Sequence, residues 1–148
     1  MKKICYNKNS KDYYFSKRRL RMKNYSRQRE AILKVLCSTT SHPTAAWIYE
    51  KVREEIPNIS LGTVYRNLAQ LEEDGTIRKI PVGDNHEHFD GDTTQHSHFF
   101  CKGCEQITDI FIDTESTRQQ VEADMGSRVD SGTYTFFGVC KACLADKQ

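Results

Sequence analysis

Residues 60–90, SLGTVYRNLAQLEEDGTIRKIPVGDNHEHFD, decide the fold. Ser60 stands where a helix N-cap belongs, because a short hydroxyl side chain accepts from the unsatisfied N–H groups of a first turn. Leu61, Val64, Leu68 and Leu71 follow at spacings of 3, 4 and 3, which lays one apolar seam along a helix. Gly75 comes next, at the place where a left-handed residue ends a helix. Ile77, Ile80 and Val82, then Gly-Asp-Asn, then a short run ending in HFD predict a β-hairpin with a Gly-Asp-Asn turn.

Upstream, the same signals predict two more helices. In TAAWIYEKVREEI, Thr44 is placed to cap, Ile48, Val52 and Ile56 form a stripe at spacing four, and Pro57 ends the segment. In SRQREAILKVLCS, Ser26 is placed to cap and Ala31, Ile32, Val35 and Leu36 recur at helical spacing. SHPT separates the two. Three short helices followed by a two-stranded hairpin make a winged helix-turn-helix.

Downstream the texture changes. HSHFF (96–100) and QITDIFI (106–112) read as strands, TESTRQQVEADM (114–125) as an amphipathic helix, and RVDSGTYTFFGV (128–139) as β-branched and aromatic. GDTTQ (91–95) is the expected linker. The expected class is therefore α+β. Residues 1–23 form a basic arm, 24–90 a winged-helix DNA-binding domain, and 91–148 a small C-terminal α/β domain for metal binding and dimerisation. TYTFFGV is the candidate dimer strand, with core as the competing reading.

Composition narrows the function. A 148-residue chain with 37% hydrophobic residues is expected to fold, and its longest apolar run is too short to cross a membrane. MKKICYNKNSKDYYF lacks the apolar stretch of a secretory signal, so the protein is expected to be cytoplasmic with its thiols reduced. The net charge of +2 divides unevenly: +8 over residues 1–23, +1 over 24–80 and −7 over 81–148. A basic front suggests an anionic partner for the N-terminal half.

Six cysteines are present, and four of them form two Cys-x-x-C pairs, Cys101/Cys104 and Cys140/Cys143, 35 residues apart. In a reducing compartment, two such pairs point to one Zn²⁺ in a closed four-thiolate site. Two disulfides fit poorly with the missing signal, and a redox pair lacks its βαβ context. Such a zinc would clamp the domain's last strand to its first and contribute roughly 10–16 kcal/mol of apparent binding free energy to folding. Cys5 and Cys37 show no partner pattern, and Cys37 reads as a packing residue.

His96 and His98 remain. At i, i+2 on a strand they point to one side, so both imidazoles can share an ion, although such pairs are often incidental. His42, Asp90 and Asp109 stand where they could complete a set of three imidazoles and two carboxylates. That nitrogen and oxygen set suits Fe²⁺, Mn²⁺ or Zn²⁺, and five donors favour the first two. Its members come from both halves of the chain. His86 and His88 share the alternation of Asp90, and they supplement the site, compete with it or merely decorate a hairpin.

The ordered motifs HPTAAWIYEKV, SLGTVYRNL, HFD, HSHFFCKGC, ITDI and GVCKAC, running from about Tyr25 to Cys143, resemble the ferric uptake regulator family. The resemblance implies a dimeric, metal-dependent winged-helix repressor. It also implies structural zinc at Cys101, Cys104, Cys140 and Cys143, and a regulatory metal at His42, Asp90, His96, His98 and Asp109. Asp109, in ITDI, is similar to the peroxide-sensing branch, where iron-bound peroxide oxidises ligand histidines, here His42 and His96. The alternative within the family is an iron- or manganese-availability repressor. Two features depart from the pattern: a Lys- and Tyr-rich arm replaces the usual first helix, and YSRQR stands at its junction with the next.

As a recognition helix, SLGTVYRNLAQL would turn Ser60, Thr63, Tyr65 and Arg66 toward a palindromic double-stranded operator. Arg18, Arg19 and Arg21 would add phosphate contacts. No enzyme is expected. Four thiolates close a zinc site, Phe100 stands where a deaminase needs proline, and no nucleophile–base pair or phosphate loop is present.

Overall fold

The computed structural model describes residues 26–84 and 86–146, and the basic arm (1–23) lies outside them. They form two compact units, one ending at Thr94 and the next beginning at Gln95.

The first unit is a winged helix-turn-helix. Its helices are α1 (Arg27–Cys37), α2 (Ala45–Arg53) and α3 (Leu61–Glu73), followed by β1 (Arg78–Ile80) and β2 (His88–Asp90). One apolar cluster holds them together: Ile32 and Leu36 from α1, Ile48 and Val52 from α2, Val64, Leu68 and Leu71 from α3, with Ile77 and Phe89 beside the wing. Leu33 joins this core from α1, whereas Val35 is only partly buried. Leu61, expected in the α3 seam, is exposed because the first helical position points away from the packed turns.

The caps explain where these helices stop. Thr44 and Ser60 accept from the N–H groups of Trp47 and Thr63. Ser26 occupies the N-cap of α1 without a side-chain cap bond, and only its carbonyl is used, by the N–H of Glu30 at 3.0 Å. Past α3, Gly75 has φ +65°. Its N–H reaches the Glu72 carbonyl at 2.9 Å, and the N–H of Thr76 reaches Leu71 at 2.8 Å. These two bonds satisfy carbonyls that the helix end leaves open.

The wing departs from the expected Gly-Asp-Asn turn. Its ladder runs only from Arg78↔Asp90 to Ile80↔His88, so residues 81–87 form a longer loop. Pro81 offers no N–H to extend the ladder, and Gly83 turns the chain at φ +73°. The segment after α1 lies along β2 instead. The Phe89 N–H reaches the Pro43 carbonyl at 3.1 Å, and Thr44 bridges antiparallel to His88. Cys37, at the end of α1, is disulfide-bonded rather than a simple packing thiol.

The second unit contains β3 (Ser97–Cys101), β4 (Ile107–Ile110), α4 (Glu115–Met125), β5 (Thr135–Gly138) and α5 (Lys141–Ala145). The sheet order is β4-β3-β5, with β4 antiparallel and β5 parallel to the central β3. β3 keeps its expected five residues, shifted by one, whereas β4 stops at Ile110, short of Phe111 and Ile112. β5 takes only Thr135–Gly138 of the expected run, with Phe136 and Phe137 half exposed on it. No residue of α4 is buried. Within this unit the buried apolar residues are Phe100, Cys101 and Ile107.

Candidate metal centres and nucleic-acid surface

The four paired cysteines converge. Their sulfurs lie within 4.8 Å of one another, and Cys104 Sγ is 3.9 Å from Cys140 Sγ. A tetrahedron with Zn–S bonds of about 2.3 Å has edges of about 3.8 Å, so the donors fit Zn²⁺. The fold builds the cluster from two local turns. After β3 the chain reverses through Glu105, at φ +59°, whose N–H returns to the Cys101 carbonyl at 2.8 Å. Cys140 caps α5, and its sulfur accepts from the Cys143 N–H. The register Cys101↔Gly138 then brings the two turns together.

Gly103 makes the approach possible, because a Cβ there would stand 3.0 Å from both Sγ and Cβ of Cys143. Backbone N–H groups of Gly103 and Cys140 point at Cys101 Sγ, at 3.3 and 3.2 Å. The Cys140 N–H, and after it that of Cys104, bring the Cys101 thiol down to about 6. Sulfur hydrogen bonding with Cys140, then with Cys104, pushes the Cys143 thiol up to about 12. Four crowded sulfurs cannot all be charged without a cation, and a divalent ion removes that conflict.

A second cluster grows from β3 and β4. His98 and Asp109 are directly opposed in the antiparallel register, and His96 precedes His98 by two, so all three side chains share a face. His96 Nε2 lies 3.1 Å from His98 Nε2 and 3.3 Å from Asp109 Oδ1, which is 3.7 Å from His98 Nε2. Adjacent donors around a six-coordinate ion with bonds of ~2.1 Å stand about 3 Å apart. The three atoms therefore fit one face of such a site.

The other two expected ligands belong to the first unit. His42 Nε2 and Asp90 Oδ1 are 4.0 Å apart, and both side chains are buried. Asp90 is fixed from two sides, by Arg78 Nε donating to Oδ2 at 3.0 Å and by the Asp92 N–H donating to Oδ1 at 2.7 Å. Arg78 also donates from Nη2 to the Thr94 carbonyl at 2.9 Å. Arg78 escaped the sequence reading. Its signal was the hairpin register, which sets it opposite Asp90. His88 is not placed as a ligand, since its two ring nitrogens lie 2.9 Å from the His42 carbonyl and 2.8 Å from Asp84 Oδ2. His86 is exposed.

On α3, Tyr65 and Arg66 are exposed and Thr63 is half-buried. The Ser60 hydroxyl is engaged in capping, accepting from the Thr63 N–H at 3.1 Å and lying 2.9 Å from the Thr63 hydroxyl. Arg66 donates from Nη2 to Thr63 Oγ1 at 3.0 Å, which holds the guanidinium near the helix start. The unsatisfied N–H groups of a helix start favour an anion there. Arg18, Arg19 and Arg21 lie outside the described residues.

Residues 20–135 match the family model described as the ferric uptake regulator family. The chain is 34% identical over 117 residues to the peroxide-responsive repressor PerR of Staphylococcus saprophyticus, covering 78% of this chain and 79% of the relative. It is 35% identical over 117 residues to the peroxide operon regulator of Bacillus subtilis, covering 78% and 81%. Among solved structures, the Campylobacter jejuni peroxide stress regulator superposes with a TM-score of 0.69 at 28% identity, covering 87% of this chain and 96% of that one. The Helicobacter pylori ferric uptake regulator has a TM-score of 0.76 at 24% identity, covering 88% and 91%.

Proposed function

We propose, from the premise that the chain belongs to the ferric uptake regulator family, that it is a metal-dependent repressor that binds double-stranded DNA as a homodimer. Zn²⁺ is its structural ion, held by Cys101, Cys104, Cys140 and Cys143. Fe²⁺ or Mn²⁺ is its regulatory ion, held jointly by His42 and Asp90 from the first unit and His96, His98 and Asp109 from the second. The observation that carries this reading is the packing of His96, His98 and Asp109 donor atoms at ligand-to-ligand spacing on one sheet face. Joining the two half-sets on one ion would fix the DNA-binding unit relative to the dimerising one, so metal occupancy sets DNA affinity.

The finer reading is a peroxide sensor that signals by losing its own ligand. Iron held there would supply the reducing power that activates peroxide. One peroxide oxygen would enter a carbon of the His42 or His96 ring while the other leaves as water. The oxidised ring, a poorer nitrogen donor, would loosen the ion and with it the grip on DNA. The similarity to peroxide-responsive repressors supports this, as does the short carboxylate of Asp109, which stands opposite His98 on the neighbouring strand. Exposed Phe111, Val121, Met125, Phe136, Phe137 and Leu144 supply the second unit with apolar surface for a second copy.

Two measurements test the reading. A duplex selected from a random pool should bind the zinc-loaded protein far more tightly with Mn²⁺ than without it, and indifference to Mn²⁺ would reduce the protein to a constitutive DNA binder. Iron-loaded protein exposed to peroxide should gain one oxygen on a peptide containing His42 or His96. Metal-dependent binding without that adduct would leave an iron- or manganese-availability repressor.

A further inference from the structure

The backbone of His42 is unusual. Its φ of +51° lies in the left-handed region, and Pro43 follows it. A side chain with a Cβ avoids that region, and a following proline restricts the residue further. Such a conformation persists only where the surroundings determine it.

The determinant is on β2. The ring of the buried His88 places Nδ1 2.9 Å from the His42 carbonyl oxygen. Its Nε2 lies 2.8 Å from Asp84 Oδ2, and Asp84 is held in turn by the His86 N–H donating to Oδ1 at 3.1 Å. Around this link, the Phe89 N–H binds the Pro43 carbonyl and Thr44 bridges to His88. His88 and Asp90 flank Phe89 on the same strand, so one short element presents Asp90 directly and grips the peptide that carries His42.

We propose that His88, oriented by Asp84, is a positioning residue for the regulatory metal. It fixes the His42 backbone so that the His42 imidazole meets the ion together with Asp90. This rests on the reading of His42 as a metal ligand. His88 coordinates nothing itself, and it acts through the carbonyl it holds. Partners that orient a ligand typically change metal affinity 10–100-fold when removed.

The test uses the zinc-loaded full chain and Mn²⁺ as the probe, with affinity measured by titration in His42→Ala, His88→Ala, His88→Asn and His88→Gln. The amide nitrogen of asparagine sits where Nδ1 does and keeps the bond to the His42 carbonyl. That of glutamine sits where Nε2 does and faces Asp84 instead. The expected result is weakening of about tenfold or more in His88→Ala and His88→Gln, with His88→Asn within about threefold of the parent. The asparagine–glutamine pair keeps the comparison valid if the alanine variant fails to fold. Equal loss in all three, or no loss in any while His42→Ala weakens, overturns the positioning role alone. An unchanged affinity in His42→Ala overturns the ligand reading and this inference with it.

Discussion

At the scale of single residues, the zinc cluster depends on a missing side chain. Gly103 is where Cys143 comes closest to the first turn, so Gly103→Ala forces the two cysteine pairs apart. Zinc should leave this variant at least about tenfold faster, followed with a chromophoric chelator, and an unchanged rate would show that the turn absorbs the methyl group. Arg78 offers a second test. Removing its guanidinium with Arg78→Ala releases Asp90 from its 3.0 Å partner and should weaken Mn²⁺ binding by about tenfold while leaving zinc content intact. The cysteines were legible in the sequence because a Cys-x-x-C pair is a local turn. Arg78 and the Asp84–His88 link were not, because they exist only once the hairpin register is set. Pro81 lengthened the loop and shifted that register away from a tight turn.

At the scale of elements, α1, α2 and α3 were readable because periodicity, caps and breakers agreed. Leu68 and Leu71 are buried as their spacing requires, and Leu68→Ala should cost about 2–5 kcal/mol in urea unfolding. Gly75→Ala places a Cβ at φ +65° and should cost about 1 kcal/mol in the same assay. The helix α4 was legible as a helix, but its burial was not, since none of its residues is buried and Val121 and Met125 are exposed. Its first turn carries a measurable electrostatic mark. Hydrogen bonds from Arg118, then from Gln119, hold the Glu115 carboxyl down at about 2. A depressed carboxylate favours the fold above its unfolded value, and that contribution is lost as pH falls toward 2. Nuclear magnetic resonance should find the Glu115 midpoint near 2, returning toward the ordinary carboxylate range in Arg118→Ala. An unmoved midpoint would remove the guanidinium as the cause.

At the scale of the whole molecule, the two units are held by different physics. Among the described residues the apolar cluster lies within 31–89, whereas the second unit buries only Phe100, Cys101 and Ile107 from its apolar set. A strong chelator with reductant should therefore collapse the resonances of residues 95–146 toward random-coil positions while the helices of the first unit keep most of their ellipticity. Simultaneous loss of both would show that zinc supports the entire chain. Tying two cysteine pairs across 35 residues removes loop freedom worth about 4 kcal/mol on the scale used for covalent cross-links. The parallel pairing of β3 with β5 adds a consequence for the life of the protein in a cell. A parallel neighbour can join only after a long crossover has returned, so until the ion latches the returning segment, the Phe136–Phe137 stretch stays open to proteases and to self-association. Zinc supply would then determine how many newly made chains survive to act as regulators at all.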